Sequence, residues 1–244
     1  MILNDGEQLD DLEYKGLQII QREGYYHFTS DSVLLANLTN IPLNAKVLDM
    51  GTGSGIIAIL IAAKSKAKSV VGIDIQDDMI DMARRSIEIN NLNNVRIEKI
   101  DIIDAPLQLG FDNFDIVVTN PPYMKVLSGD MSEAEHINIS KREVKVTLEQ
   151  IIVSASKLLK FGGKFYMIHK AERLAEIINI MCKYNLIPKK LINIQPKADK
   201  AVDTIIIEGK KGAAFGMTVE ALIVYNDDNS YTDKAAKLYS KEQI

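Results

Sequence analysis

Nine residues, Val47-Leu48-Asp49-Met50-Gly51-Thr52-Gly53-Ser54-Gly55, carry the strongest chemical signal in the chain. An apolar run leads into three glycines at alternate positions, and Ile56 to Ala63 behind them reads as the opening of a helix. Glycines lack the Cβ that would keep a ligand off the backbone, and the N–H groups of a helix start favour negative groups nearby. A dinucleotide fingerprint would need glycine at position 56, where Ile56 stands, and no Gly-Lys-Ser/Thr ending marks a nucleoside triphosphatase. Asp49, two residues before Gly51, would repel a pyrophosphate and attract an ammonium group. Asp74 follows Gly55 by 19 residues, close to the roughly 20 expected of an acid that holds ribose hydroxyls, and Ile75 stands beside it. Asp101 and Ile102 are positioned to bond an adenine amino group and to cover the ring. S-adenosylmethionine joins these three groups, so Asp49, Gly51, Gly53, Gly55, Asp74, Ile75, Asp101 and Ile102 are its candidate binding residues.

A second constellation is Asn120-Pro121-Pro122-Tyr123. Two prolines fix the backbone and remove two donors, leaving an acceptor-rich segment. The Asn120 side-chain oxygen and the Pro121 carbonyl can accept both hydrogens of an exocyclic amine or amide, and Tyr123 offers a flat face to a planar group. Accepting those protons draws the nitrogen toward tetrahedral geometry and frees its lone pair for in-line attack on a sulfonium methyl. His27, His136 and His169 are isolated, and no His-Glu-x-x-His or Cys/His cluster supports a metal site or a Cys/His nucleophile.

Short β-branched runs alternating with amphipathic segments must hold these residues, the pattern of βαβ units and a parallel sheet. Strands are expected at Val47–Met50, Ser69–Ile75, Val95–Ile100 and Asp115–Thr119, the last too uniformly apolar for a half-exposed strand and so central. A helix is expected over Asp77–Asn90 and another near Leu148–Leu159, then a Gly162-Gly163 turn, a strand Lys164–His169 and a helix Ala171–Tyr184. Strands near Lys190–Ile194, Thr204–Glu208 and Thr218–Tyr225 follow with only loops between them, so at least one pairs antiparallel at a sheet edge. Residues 1–44 form an extension packing on the sheet, with a helix at Ser32–Leu38, and residues 45–244 form the catalytic domain, a single domain overall.

At 244 residues with 47% hydrophobic and 25% charged, the composition excludes disordered and disulfide-scaffold classes. Cys182 is the only cysteine, no charged region followed by an apolar run opens the chain, and the longest apolar run falls short of the roughly 18 residues of a membrane span, which points to a cytoplasmic protein. The net charge of -4 is unevenly spread. Residues 1–13 hold five acids and no base, whereas Lys183, Lys189, Lys190, Lys197, Lys200, Lys210 and Lys211 face only Asp199, Asp203 and Glu208. That stretch is a solvated face or a patch for a polyanion.

From Ala45 to Gly209 the chain resembles class I S-adenosylmethionine-dependent methyltransferases, and Asn120–Tyr123 resembles the branch that modifies adenine N6, guanine N2 or glutamine amide nitrogen. The whole chain resembles the bacterial tRNA1(Val) adenine-37 N6-methyltransferase family, on Phe28-Thr29-Ser30-Asp31-Ser32-Val33-Leu34-Leu35 and Lys141-Arg142-Glu143. The resemblance implies a doubly wound, mostly parallel seven-stranded α/β sheet with an antiparallel edge. It implies S-adenosyl-L-methionine as cofactor, a tRNA partner, and the adenine beside the anticodon of a valine tRNA as target. Asp49 and the glycines would surround the methionine part, Asp74 the ribose and Asp101 the adenine, while Asp31 closes over the cofactor or caps its helix, and Asn120, Pro121, Pro122 and Tyr123 would hold the base. Lys125, Lys141, Arg142 and Lys145 are the nearest basic contacts for phosphate, and Ser128–His136 reads as a loop that orders around substrate or as a plain surface loop. A guanine N2 methyltransferase, a glutamine methyltransferase of release factors, a DNA adenine methyltransferase and a noncatalytic RNA-binding factor remain alternatives. Oligomeric state, monomer or dimer, is open.

Overall fold

A computed structural model describes residues 3–22, 30–121 and 146–239. The central sheet has eight strands: β3 (Lys46–Met50), β4 (Ser69–Asp74), β5 (Val95–Lys99), β6 (Phe114–Thr119), β7 (Leu159–Lys170), β8 (Leu186–Gln195), β9 (Thr204–Lys211) and β10 (Thr218–Ile223). Two earlier strands, β1 (Glu7–Asp11) and β2 (Gln18–Arg22), form a separate antiparallel hairpin. The order in the large sheet is β10-β8-β9-β7-β6-β3-β4-β5. All of its pairings are parallel except those of β9, which is antiparallel to both β7 and β8.

This is the α/β architecture expected, with two differences in detail. Eight strands replace seven, because β10 adds to the outer side of β8 in parallel register. The antiparallel strand lies inside the sheet: β8 runs parallel to β7 two positions away, and β9 turns back to fill the gap between them. The Gly162-Gly163 pair does not end a strand either. β7 runs through both glycines, and its pairing with β6 jumps from Phe114 opposite Leu159 to Ile116 opposite Lys164. A bulge takes up the extra residues; Gly162 has φ 78°, and a Cβ on Gly163 would lie 2.9 Å from the Lys160 carbonyl oxygen.

Helices cover both faces. α1 (Ser30–Leu38), α2 (Ile56–Lys64) and α3 (Asp77–Ile89) lie on one side, α4 (Ala105–Leu109), α5 (Leu148–Leu158) and α6 (Leu174–Lys183) on the other, and α7 (Asp233–Tyr239) packs beside α1. α2 is apolar almost all round and buried from Ile56 to Ala62, so it sits inside its layer. α5 begins at a capping box in which the Thr147 hydroxyl accepts from the Gln150 amide and the Gln150 side chain accepts from the Thr147 amide. β6 is buried on both faces at Ile116, Val117 and Val118, as a central parallel strand requires.

The hairpin was not legible in the acidic residues of the amino-terminal segment. Ile19 and Ile20 of β2 are fully buried, and α3 takes the place of a third strand beside it. The Ile20 amide donates to Ser86 Oγ at 2.9 Å, the Gln18 amide donates to Asn90 Oδ1 at 2.9 Å, and Asn90 Nδ2 donates to the Gln18 carbonyl at 2.6 Å. Arg85 of α3 grips Glu7 of β1 with both terminal nitrogens, at 2.8 and 2.5 Å. The Arg85 guanidinium holds the Glu7 carboxyl down near about 2.

Candidate functional site

The carboxyl ends of β3, β4, β5 and β6 lie side by side, where open α/β sheets bind ligands. Asp49, one residue from the end of β3, is completely buried. Its Oδ2 accepts from the Thr52 hydroxyl at 2.7 Å, and its Oδ1 has no hydrogen-bond partner. Burial pushes its pKa up to about 7 against the opposing pull of the Thr52 hydroxyl and the Ala58 backbone amide, and Asp74 adds a smaller push in the same direction. A buried carboxylate oxygen without a donor is costly in an isolated protein and suits an incoming ammonium group.

Beyond β3 the chain turns tightly, with the Gly51 and Thr52 amides both donating to the Ile73 carbonyl at 2.9 Å. Gly51 and Gly53 have φ of 73° and 54°, and a Cβ on either would meet nothing within 4 Å, so the loop presents bare backbone to open space. Gly55, at φ 94°, serves packing: a Cβ there would come 3.2 Å from Ala83 Cβ on α3. Gly72 on β4 leaves room for Thr52, whose Oγ1 would be 2.7 Å from a Cβ at that position.

Asp74 ends β4 and is nearly buried. Its Oδ2 accepts from the Gly53 amide at 3.0 Å and its Oδ1 from the Ile75 and Gln76 amides at 2.8 and 3.0 Å. A carboxylate has about four acceptor positions, so three backbone donors orient this one and leave a position for a ribose hydroxyl. Asp101, after β5, accepts the Ile103 amide on Oδ1 at 2.8 Å. Ile102 packs partly into the core under the sheet, whereas Ile103, 48% exposed, and Ile75, 36% exposed, are the open apolar surfaces beside the two acids. Sequence reasoning singled out Ile102 and passed over Ile103, since two adjacent isoleucines give no sign of which one faces out.

The end of β6 is tied to β3 by the buried Thr119 hydroxyl, which donates to the Met50 carbonyl at 2.8 Å. The next residue, Asn120, donates from Nδ2 to the buried Ser32 Oγ of α1 at 2.9 Å. That bond ties the amide to α1. Ser32 was quoted in the sequence only as part of a motif; a bond across 88 positions has no local signal. Asp31 neighbours Ser32 in the first turn of α1, half-buried, where its charge bears on the Tyr239 phenol. Pro121 is buried. Pro122, Tyr123, Lys125, Ser128–His136, Lys141, Arg142, Glu143 and Lys145 lie outside the described residues, as do His27, Phe28 and Thr29.

His169 is buried at the end of β7, and its Nδ1 accepts the Lys170 amide at 2.8 Å. Burial lowers its pKa to about 4, so the imidazole is neutral at pH 7. Among the described residues no group of three or more His, Cys, Asp or Glu side chains is placed to hold a metal ion, and no helix is long and apolar enough to cross a membrane.

The lysine-rich stretch read from the sequence does not form one patch. β8 and β9 are antiparallel, which puts Lys197 and Lys200, between them, at the carboxyl end of the sheet and Lys210 and Lys211 toward the opposite end, while Lys189 and Lys190 lie midway along β8. At the carboxyl end Lys200 pairs with Asp199 at 3.4 Å, Lys170 pairs with Asp203, and Lys197 Nζ donates to the Asp227 carbonyl at 3.0 Å.

Comparison with known proteins matches residues 43–221 to the family described as Methyltransferase domain. A release factor glutamine methyltransferase of Aliivibrio fischeri is 39% identical over 103 residues, which cover 42% of this chain and 35% of that protein. A tRNA1(Val) (adenine(37)-N6)-methyltransferase of Porphyromonas gingivalis is 29% identical over 164 residues, covering 66% of this chain and 64% of that one. The chain therefore spans about a third of the first relative and just under two thirds of the second. The crystal structure of a predicted O-methyltransferase from Agrobacterium tumefaciens superposes with a TM-score of 0.70 at 22% identity, covering 86% of this chain and 95% of that one.

Proposed function

We propose, from the premise that this chain belongs to the methyltransferase-domain family and has its class I S-adenosylmethionine-dependent fold, that it methylates the exocyclic N6 of adenine in tRNA, beside the anticodon of a valine tRNA. S-adenosyl-L-methionine supplies an electrophilic sulfonium methyl when bound. Asp49 pairs with its ammonium group, the Gly51 and Gly53 backbone lies along its methionine part, Asp74 accepts from its ribose, and Asp101 with Ile75, Ile102 and Ile103 holds its adenine. The unpartnered buried oxygen of Asp49 and the open side of the glycine turn fit that group.

The observation that carries the reaction class is the Asn120–Ser32 bond. Ser32 anchors the Asn120 amide through an Nδ2 N–H at the end of β6, and an exocyclic amine needs acceptors such as an amide oxygen. Asn120 Oδ1 and the Pro121 carbonyl take its two hydrogens, and Tyr123 stacks on the ring. No side-chain base is needed before transfer, because hydrogen bonding to the amine localises its lone pair. Asp31 closes the cofactor side of α1.

RNA is favoured over a glutamine side chain by matches to tRNA enzymes that reach 209 and 221 residues, against at most 167 for the glutamine enzymes compared, and by the residues on either side of the site that resemble the tRNA family, 28–35 and 141–143. Residues 1–44 act as an extension of the domain at 45–244, and the working compartment is the cytoplasm. The test incubates the purified chain and methyl-labelled S-adenosylmethionine with total tRNA and total protein from cells lacking the gene. The expected product is N6-methyladenosine in a valine tRNA digest; label in N2-methylguanosine or in peptide glutamine overturns the assignment.

A further inference from the structure

We infer that the end of the sheet opposite the site is a second RNA contact, a platform on which Phe161 and Phe215 stack unpaired bases while Lys157, Lys189 and Lys210 meet the phosphates. This rests on the RNA reading above and adds to it a surface remote from the chemistry.

Phe161 and Phe215 are 79% and 80% exposed, an unusual display for the largest apolar side chains of a chain with six phenylalanines. They belong to one surface. Phe161 stands on the β7 bulge and its ring lies over Gly212, where a Cβ would be 2.1 Å from the ring edge; Phe215 follows three residues later in the loop from β9 to β10. The loop is held to the body by Lys189 Nζ, which donates to the Ala214 carbonyl at 3.2 Å, and by Lys211 Nζ, which donates to the Leu159 carbonyl at 2.8 Å. Gly162, Gly212 and Gly216 all have positive φ, so the backbone is shaped to turn these rings outward and hold them there.

The charge around the rings identifies the occupant. Lys157 and Lys210 are exposed. Of the carboxylates in this region, Asp112 is engaged by Lys211 at 2.7 Å, Asp115 by Lys160 at 2.5 Å and Glu208 by Lys164 at 2.8 Å. An apolar self-association surface is depleted in lysine, whereas exposed rings set among lysines are how single-stranded nucleic acid is held. At the site end acids are frequent, with Asp49 and Asp74 near the ends of β3 and β4, Asp77 and Asp78 in the first turn of α3, and Asp101 and Asp104 after β5. An acidic protein of net charge -4 can thus bind a polyanion where lysines outnumber carboxylates locally. The strands separating the two ends span about 20 Å, short enough for one folded RNA to touch both.

The test measures equilibrium binding of fluorescently labelled bulk tRNA to the full chain by anisotropy. The variants are Phe161→Ser/Phe215→Ser and, separately, Lys157→Gln/Lys210→Gln, each checked for unchanged thermal unfolding and S-adenosylhomocysteine affinity. Loss of the rings should weaken binding by about tenfold or more. Loss of the two lysines should lower the slope of log affinity against log salt by about 1.4. Unchanged tRNA affinity in both variants overturns the inference, and a light-scattering shift from dimer to monomer with unchanged tRNA affinity overturns it in favour of a second copy. If tRNA binding falls but the wild type methylates only protein, the platform stands and the substrate assignment fails; if tRNA is methylated and both variants bind like wild type, the reverse holds.

Discussion

Asp49→Asn should stabilise the ligand-free protein above pH 7 while removing its affinity for S-adenosylmethionine. The ordinary value of the group is 3.8 and burial raises it to about 7. Between those values the folded chain keeps a proton that the unfolded chain has released, so stability falls as pH rises through the window and the loss is complete above about 7. The full gap corresponds to about 4 kcal/mol. Asparagine has the same shape and no charge, but its amide N–H group enters a site built for acceptors, so we expect a net gain of about 2 kcal/mol, or roughly 4–8 °C in Tm at pH 8. At pH 4 the sign should reverse to a loss of about 2 kcal/mol, because the native aspartate is then also neutral and only the cost of the amide N–H remains. For the wild type, cofactor affinity should weaken about tenfold per pH unit below 7 as Asp49 takes up its proton, and should weaken again above roughly pH 8 as the ligand's α-amino group loses its own. Thermal unfolding at pH 4 and pH 8, with calorimetric titration of S-adenosylhomocysteine between pH 5.5 and 9, reads both effects. An Asn variant that is less stable at pH 8, or that binds within threefold of wild type, would refute the assignment of Asp49 as the ammonium partner.

Three further outcomes are expected. Asn120→Ala should bind cofactor normally and lose about a hundredfold or more in kcat, and methyl transfer at the original rate would remove Asn120 from the catalytic site. Ser32→Ala leaves Asn120 Nδ2 without its buried partner, a cost of about 1–3 kcal/mol; single-turnover kinetics should show a tenfold to hundredfold slower transfer with cofactor affinity unchanged, and Ser32→Thr should restore most of it. Glu7→Gln breaks the grip of Arg85 on the hairpin; because that carboxyl sits near about 2 rather than 4.5, its contribution is fully present above pH 4.5 and is lost as pH falls through about 2. Screening limits the loss to about 1 kcal/mol, visible as faster amide exchange at Leu9 and Ile20 and as a smaller decline in stability between pH 4.5 and 2.

What could be read from the sequence was whatever local chemistry dictates. Asp49, the glycine turn and Asp74 stand at strand ends because a buried strand must stop where a backbone-exposing turn begins, and both features are written within nine residues. β6 was legible because three consecutive β-branched residues suit only a strand covered on both faces. The hairpin was missed because Glu7, Asp10 and Asp11 look like a solvated tail; their partners, Arg85 and Gln21, are supplied by the fold. The placement of β9 inside the sheet was missed for a similar reason, since a strand's neighbours depend on the gap left by the β7–α6–β8 crossover and not on its own residues. The basic stretch from Lys183 to Lys211 was contiguous in sequence, and an antiparallel turn left its middle, Lys197 and Lys200, at one end and carried Lys210 and Lys211 back toward the other.

That last separation bears on how one fold serves several substrates. The matched family region ends at residue 221 and begins at 43, so it contains the cofactor cradle and Asn120 but excludes Ser32, the hairpin and α7. Orientation of the catalytic amide therefore comes from outside the shared domain. α1 carries Ser32, packs on α2, and is braced by α7 through Asn37 Nδ2, which donates to the Leu238 carbonyl at 2.5 Å, while Lys64 Nζ donates to Asn37 Oδ1 at 2.5 Å. The same Lys64 ammonium lies 4.4 Å from the Tyr14 ring of the hairpin turn. Hairpin and α7 thus converge on the carboxyl end of α1, and beside it Tyr231 stacks on Tyr225 and lies tilted against Tyr239, with ring centroids 5.1 Å apart in each pair. The elements that hold Asn120 are those that a different substrate would require to change, and the cofactor strands can stay as they are. Grafting residues 3–42 of a glutamine-modifying relative onto this domain should leave cofactor affinity within a few-fold and abolish transfer to tRNA. If the graft still methylates tRNA, specificity resides in the shared domain and the bracing of α1 is structural alone.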